Sequence, residues 1–249
     1  MDRALYLSMS GAKQNMQALQ LRANNLANAN TPGFRKDLAQ ARSMQAYGEG
    51  MPSRVFSMTE RPGYSFDQGS VVTTGRDLDI TIQGQGWMAV MDKTGKEGLT
   101  RNGSLRIDQN GLLANSHGHL VLGERGTPIT LPIPLRKVEI GKDGTISVVP
   151  QDAPADEMVV VDRIKLTSTD NQSLFKDTNG LFRSKQPIAE YGYDGRVQVM
   201  TGAIEGSNVN AVGEMTSLID LQRQFEMQVK LMGTAEDMDK ASDSLLRMS

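Results

Sequence analysis

Apolar residues near the start of the chain recur in alternating steps of four and three, at Leu5, Met9, Ala12, Met16, Leu19, Ala23 and Leu26. Near the other end Ala211, Met215, Leu218, Gln222, Phe225, Val229 and Met232 step identically. A stripe of this period is the seam of a coiled coil, narrower than the apolar face of an ordinary surface helix. The pattern predicts two long terminal helices whose stripes must be buried, either in each other or in helices of other copies. Everything between them must loop out from that pair, so the spacing points to an assembly subunit.

The first helix is expected from Asp2 to about Ala29, with Gln14, Gln17, Gln20 and Arg22 on its other sides and a length of roughly 42 Å. It stops at residues 28–33, where Asn disfavours helix interior, Pro32 disfavours helix at Thr31, and Gly33 permits positive φ. Residues 37–70 lack periodicity and hold Gly48, Gly50, Pro52, Pro62, Gly63 and Gly69, which predicts an extended connector with irregular turns.

From Val71 to Thr201 short β-type runs take over, at 78–82, 87–91, 120–122 and 158–161. Asn102-Gly103, Asn110-Gly111, Asp143-Gly144, Asn179-Gly180 and Asp194-Gly195 are the dipeptides that two-residue hairpin turns prefer, because both positions take positive φ. Ser207 to Asn210 offers helix-capping side chains before the second seam. Gly233, followed by capping-box spacing from Thr234 to Asp237, predicts a kink or a fresh start in that helix.

The resulting fold class is α+β, with long N- and C-terminal helices pairing in a coiled-coil-like assembly around an inserted antiparallel β domain. Its parts are an assembly helix and turn in 1–36, the connector in 37–70, a β-rich middle domain in 71–201 and a second assembly helix in 202–249.

Composition narrows the chemistry. Net charge is -2 and Lys and Arg are scattered, so neither a nucleic-acid surface nor a basic membrane surface is expected, and partners are expected to be proteins. The absence of cysteine excludes disulfides, thiolate metal sites and cysteine catalysis. No stretch approaches a membrane span, and the N-terminal segment, with Asp at position 2, lacks the continuous apolar core of a secretory signal. Departure from the cytosol is therefore expected to use another route. Methionines gather in the terminal segments, at Met1, Met9, Met16, Met215, Met227, Met232, Met238 and Met248. They read either as adaptable core fillers or as a surface that must fit several slightly different neighbours.

Three blocks carry a resemblance to a known family. The segment AlaAsnAsnLeuAlaAsnAlaAsnThrProGlyPheArg (23–35) closely resembles the N-terminal signature of bacterial flagellar rod and hook proteins. A second block runs from 78–90 through ThrArgAsnGlySerLeu (100–105) and 111–113 to 121–123. The third is SerAsnValAsnAlaValGlyGluMet (207–215) with 222–227. Their order is that of the family, and together they span most of the chain, with 37–70 and 130–200 the weakest. MetAspArgAlaLeuTyr at the start, Pro32 followed by GlyPheArg, and PheGluMetGln at 225–228 resemble a proximal more than a distal rod protein. Trp87 stands where relatives commonly have Phe.

The resemblance implies a structural protein exported unfolded by the flagellar type III apparatus without a cleaved signal peptide. It would assemble with copies of itself and other rod proteins in the periplasmic part of the basal body, forming a tubular shaft that transmits torque and encloses the export channel. It implies no enzyme activity, cofactor, small-molecule substrate or membrane insertion. The assembly interface is assigned to Leu5, Met9, Ala12, Met16, Leu19, Ala23, Leu26, Met215, Leu218, Gln222, Phe225, Val229 and Met232. Asn24, Asn25 and Asn28 join that set on a further ground. Their amides compete with the helix backbone, which reads either as fraying before the stop or as bonds across subunits that fix register.

Other motifs weigh against chemistry. His117 and His119 place two imidazoles at metal-ligand spacing, but no third ligand type is clustered with them in the sequence, and a strand-end pair facing solvent is the simpler reading. Ser10 to Lys13 and Ser173 to Lys176 match SxxK, and Lys93 to Gly95 matches KTG, yet their order is wrong for a serine acylating enzyme. Asp108, Asn110 and Gly111, like Asp177, Asn179 and Gly180, imitate the start of a calcium loop without Glu at position 12, and read as hairpin turns. Gly84 and Gly86 form a bare GxG with no helix after it. A secreted β-rich binding module is the remaining alternative, but it leaves the terminal stripes unexplained, and aromatics at 5% are few for a binding face.

Overall fold

Helix formers and stop signals act where the sequence puts them: helix α1 spans Asp2–Ala27 and ends on asparagines. The Asn28 N–H donates to the carbonyls of Asn24 and Asn25, its side-chain amide donates to the Asn24 carbonyl at 2.9 Å, and the Ala29 N–H donates to the Leu26 carbonyl, so three acceptors of the last turn are occupied. Helix α2 spans Ala211–Arg247, and Asn210 caps it by accepting the Gly213 N–H at 3.1 Å. The computed structural model describes residues 2–45, 55–151, 158–169, 173–184 and 194–247.

The chain is α+β and forms two compact units, one of 1–29, 35–65 and 209–249, the other of 30–34 and 66–208. In the first unit α1 packs against α2. Between them in sequence, strands β1 (Asp37–Gln45) and β2 (Val55–Tyr64) pair antiparallel. This corrects the expectation of an irregular connector there. The glycines and proline at 48, 50 and 52 that suggested irregularity lie outside the described residues. Pro62 lies in β2 opposite a register shift between Leu38 and Gln40, where its missing N–H is accommodated by a bulge instead of ending the strand.

Helix α2 also runs unbroken through Gly233, against the expected fresh start. The Thr234 hydroxyl donates back to the Lys230 carbonyl at 3.0 Å, so the side chain that would have capped a new helix serves the existing one.

The second unit holds the remaining strands. They are β3 (Val71–Thr73), β4 (Ile80–Gln83), β5 (Trp87–Met91), β6 (Glu97–Thr100), β7 (Leu105–Ile107), β8 (Leu113–Asn115), β9 (Leu120–Val121) and β10 (Leu135–Ile140). Then follow β11 (Thr145–Pro150), β12 (Val159–Arg163), β13 (Leu166–Thr167), β14 (Leu174–Lys176), β15 (Phe182–Ser184), β16 (Gln198–Thr201) and β17 (Ala203–Glu205). The largest sheet has the order β14-β15-β6-β5-β9-β8-β7, with β13 also paired to β5. A second sheet is β10-β11-β12, and β16-β4 and β17-β3 pair separately. Alternation supplies the core: Met88 and Val90 of β5, Ile146 and Val148 of β11, and Leu166 of β13 are fully buried in one cluster. On the other face of β5, Trp87 packs on Phe182 with ring centroids 4.8 Å apart and meets Phe66 edge-on at 6.0 Å.

The hairpin turns differ from the two-residue type. Among described residues no non-glycine has positive φ, so Asn110, Asp143 and Asn179 do not take the conformation that such turns require. Instead a four-residue turn recurs at 92–95, 108–111, 115–118, 123–126, 141–144 and 177–180. In each, the glycine at the fourth position has positive φ and its N–H donates to the carbonyl of the first residue. The next residue's carbonyl accepts from the first residue's N–H. This is the hairpin built on a type I turn followed by a left-handed glycine. Asn102-Gly103 is no hairpin turn, since the Gly103 carbonyl accepts the Ile80 N–H.

Leu166 is fully buried between the sheets' cores. Leu166→Ala is expected to destabilise the β unit by about 2–5 kcal/mol, read by denaturant unfolding of the purified chain.

Candidate assembly interface

Both helices keep the predicted period of burial, but alternate members of each inward stripe lie one residue before the predicted ones. In α1 the less exposed positions include Ser8, Ala12, Asn15, Leu19, Arg22 and Leu26; in α2 they include Ala211, Glu214, Leu218, Leu221, Phe225, Gln228, Met232 and Ala235. Ala12, Leu19, Leu26, Leu218, Phe225 and Met232 thus belong to both the predicted and the observed stripe. The alternate members of the prediction, Met9, Met16 and Ala23 with Met215, Gln222 and Val229, are exposed, as is Leu5. Val212, Ile219, Met227, Leu231 and Met238 add further exposed apolar surface on α2. The side of α1 turned inward thus carries the polar Ser8, Asn15 and Arg22 between Ala12, Leu19 and Leu26.

The helices run in opposite directions. A side chain at Gly11 would come 2.6 Å from the Gln228 amide nitrogen, and Arg22 meets Glu214. Glu214 is 1% exposed and bonds Arg22 Nη1 at 3.0 Å and Lys36 Nζ at 2.6 Å. Burial pushes its carboxyl pKa up, but the bonds from Lys36 and Arg22 outweigh that and hold it below the ordinary value. Asn25 is wholly buried, and its amide mimics a strand neighbour: Oδ1 accepts the Asp37 N–H and Nδ2 donates to the Asp37 carbonyl, both at 2.9 Å. Of the three asparagines offered for cross-subunit bonds, Asn25 is therefore committed inside the chain, Asn28 closes the helix end, and Asn24 is exposed.

Within the second unit the segment 30–34 is seated beside the end of β17. The Gly33 N–H donates to the Glu205 carbonyl at 2.8 Å, and Asn208 N–H donates to the Phe34 carbonyl at 3.3 Å. Gly33 has φ +68°, and a Cβ there would overlap the backbone of Arg101 and Asn102. Beneath it the fully buried Glu205 carboxylate pairs with Arg101 Nε at 3.0 Å and accepts the Gly69 N–H at 3.0 Å. Arg101 Nη2 donates to the carbonyls of Ile82 and Gly84. Lys176 Nζ lies 3.8 Å over the Phe34 ring.

Periodicity missed Arg22, Lys36, Arg101, Glu205 and Glu214 because charged residues carry no apolar signal. The motif blocks were the usable signal: Asn25 and Gly33 lie in the first, Arg101 in the second and Glu214 in the third. The other singled-out motifs sit in ordinary places. Lys13 is exposed on α1, residues 93–95 belong to the β5–β6 turn, and the two calcium-like segments are the turns 108–111 and 177–180. His117 and His119 lie in and after the β8–β9 turn with their rings stacked 6.2 Å apart. Among the described residues there is no group of three or more side chains able to hold a metal ion.

Comparison with known proteins follows the same blocks. Residues 5–35 match the family described as flagella basal body rod protein, 81–148 the flagellar hook protein FlgE/F/G D1 domain, and 200–245 the flagellar basal body rod FlgEFG protein C-terminal family. The flagellar basal-body rod protein FlgF of Escherichia coli K12 is 38% identical over 256 aligned positions, covering all of both chains. FlgF of Salmonella typhimurium is 36% identical, again over the whole of both chains. FlgG of Bacillus subtilis matches at 27% over 95% of this chain and 96% of its own. The chain belongs to the family of flagellar basal-body rod proteins, and it is more similar to the FlgF relatives than to this FlgG.

Two substitutions test the local construction. Glu214→Gln is expected to cost about 1.5–3 kcal/mol near neutral pH, the range for hydrogen bonds to charged groups. Because the folded carboxyl is held below the ordinary glutamate value of 4.5, its contribution is full above that pH and is lost as pH falls through the lowered folded value. Unfolding followed by helix signal against pH should show this acid loss in the wild type and not in the variant. Gly33→Ala, strained by its positive φ and by overlap with backbone, is expected to destabilise the second unit by about 1–3 kcal/mol or more, read by thermal unfolding.

Proposed function

We propose that this chain is a structural, non-enzymatic subunit of the flagellar basal-body rod, in the proximal, FlgF-like position. It is exported through the flagellar type III apparatus and assembles in the periplasmic space with copies of itself and other rod proteins. In this reading the terminal helices pack in a coiled-coil-like array into a tubular shaft that carries torque and encloses the export channel. Family membership supports the rod assignment, and higher identity to the FlgF relatives supports the position. One observation carries the interface: α1 turns Ser8, Asn15 and Arg22 toward the inside of its own chain and leaves Leu5, Met9 and Met16 exposed, while Met215 and Val229 are exposed on α2. Burying one such side chain fully is worth about 1.5–3 kcal/mol, which the single chain forgoes and a neighbouring subunit recovers.

The interface therefore comprises two sets. Ala12, Leu19, Leu26, Leu218, Phe225 and Met232 hold the subunit's helices, and Leu5, Met9, Met16, Ala23, Met215, Gln222 and Val229 meet neighbours. Asn24, exposed at the end of α1, is the asparagine left to bond across subunits.

Met16→Asp provides the test, since Met16 is 54% exposed and tolerates a charge in the lone chain. The purified variant is expected to keep the wild-type helix content and unfolding midpoint, while rod incorporation and swimming are lost because a charge in a packed contact is costly. A motile Met16→Asp strain with normal basal bodies would remove this residue from the interface.

A further inference from the structure

The β8–β9 turn binds its two imidazoles through amides whose orientation is fixed by the backbone. Asn115 is 1% exposed, and its Oδ1 accepts the N–H groups of His117 at 3.0 Å and His119 at 2.9 Å. With the oxygen so occupied, the amide nitrogen is the end that faces His119 Nδ1, at 3.4 Å. Asn102 repeats the arrangement: its Oδ1 accepts the Ser104 N–H at 3.2 Å, and its Nδ2 lies 2.8 Å from Ser116 Oγ and 2.7 Å from His117 Nδ1. Each imidazole therefore presents Nδ1 as an acceptor, with its proton on Nε2. A second proton on the His119 ring sets donor against donor.

We infer that the segment Asn115–His119 is an acid-sensitive latch, closed while His119 is neutral and loosened when it is protonated. The charged groups around His119 support this direction. His117 is stacked 6.2 Å away, Lys93 in the β5–β6 turn disfavours charge on it, and Arg106 Nη2 and Lys93 Cε both come within 4 Å of where a Cβ on Gly118 would sit. Among the described residues Asp92 opposes them, and its carboxylate already accepts bonds from Thr94, Lys96 and Arg183. Burial first and His117 second hold the His119 pKa below the ordinary 6.5.

The latch has a target within the same unit. Asn102 bonds Ser116 and His117 through its side chain, and its backbone is the surface on which Gly33 is seated. Opening the turn frees the Asn102 side chain and so loosens the loop under Gly33. The inference concerns the folded chain itself and does not rest on the rod assignment.

The sign follows from linkage. With the folded pKa below the unfolded one, the contribution is full above about 6.5 and falls as pH drops through the folded value. The full-length chain should therefore lose unfolding midpoint in denaturant between about pH 7.5 and pH 5, and His119→Gln should lose that dependence. With only two histidines in the chain, the wild-type imidazole signals can be assigned by this one substitution and titrated by NMR. His119 is expected to titrate below 6.5 with the proton on Nε2, and the Asn102 and Gly103 amides to exchange faster once it is charged. A titration at or above 6.5, or a folded His119→Gln protein that keeps the wild-type pH dependence, overturns the inference. Should His119→Gln fail to fold, the wild-type titration and exchange decide it alone.

Discussion

A carboxylate buried at Glu214 constrains everything in the helical unit. It sits in the first turn of α2, where the helix dipole favours negative charge, but its removal from water demands cationic partners. Arg22, in the last turns of α1, and Lys36, just before β1, provide them. To reach Glu214, Arg22 must lie on the inner side of α1. Rotating one residue inward on a helix moves its seam neighbour, Ala23, outward by about a quarter turn, and Met9 and Met16 go with it. The charge pair thus decides which stripe is internal, and the apolar residues follow.

The limits of α1, the capping asparagine before α2, the β-rich middle and the period of helix burial were all legible, because each depends on local backbone preference or on simple repetition. The rotation of the stripes was not. An apolar position left exposed on the chain and one that packs inside it look the same in sequence, and here alternate members of each stripe have different fates. The β1–β2 pairing was hidden because Gly and Pro dominated the reading of 37–70, although Pro62 sits at a bulge. At Gly233 the capping pattern was real as spacing, but a threonine that bonds back one turn satisfies the same hydroxyl within a continuous helix.

Turn chemistry shows the same mixture. Gly111, Gly144 and Gly180 stand at reversals as expected and Gly103 does not, while the Asn or Asp before each turn glycine stays in ordinary backbone space and the loop is one residue longer than the two-residue type. The family blocks carried information that periodicity lacked. They contain Asn25, Gly33, Arg101 and Glu214, residues whose roles are polar or steric: an amide standing in for a strand, a missing Cβ, and two ends of buried ion pairs.

Exposure of the outer helix faces also has a chemical consequence. Met9, Met16, Met215, Met227 and Met238 present their thioethers to solvent in the single chain. Oxidation to the sulfoxide would turn each from a pliable apolar group into a polar, chiral one, unsuited to a dry contact between helices. Under the proposed assembly these sulfurs are vulnerable only between folding and docking, so the speed with which a subunit finds its neighbours also sets how long its surface stays open to damage.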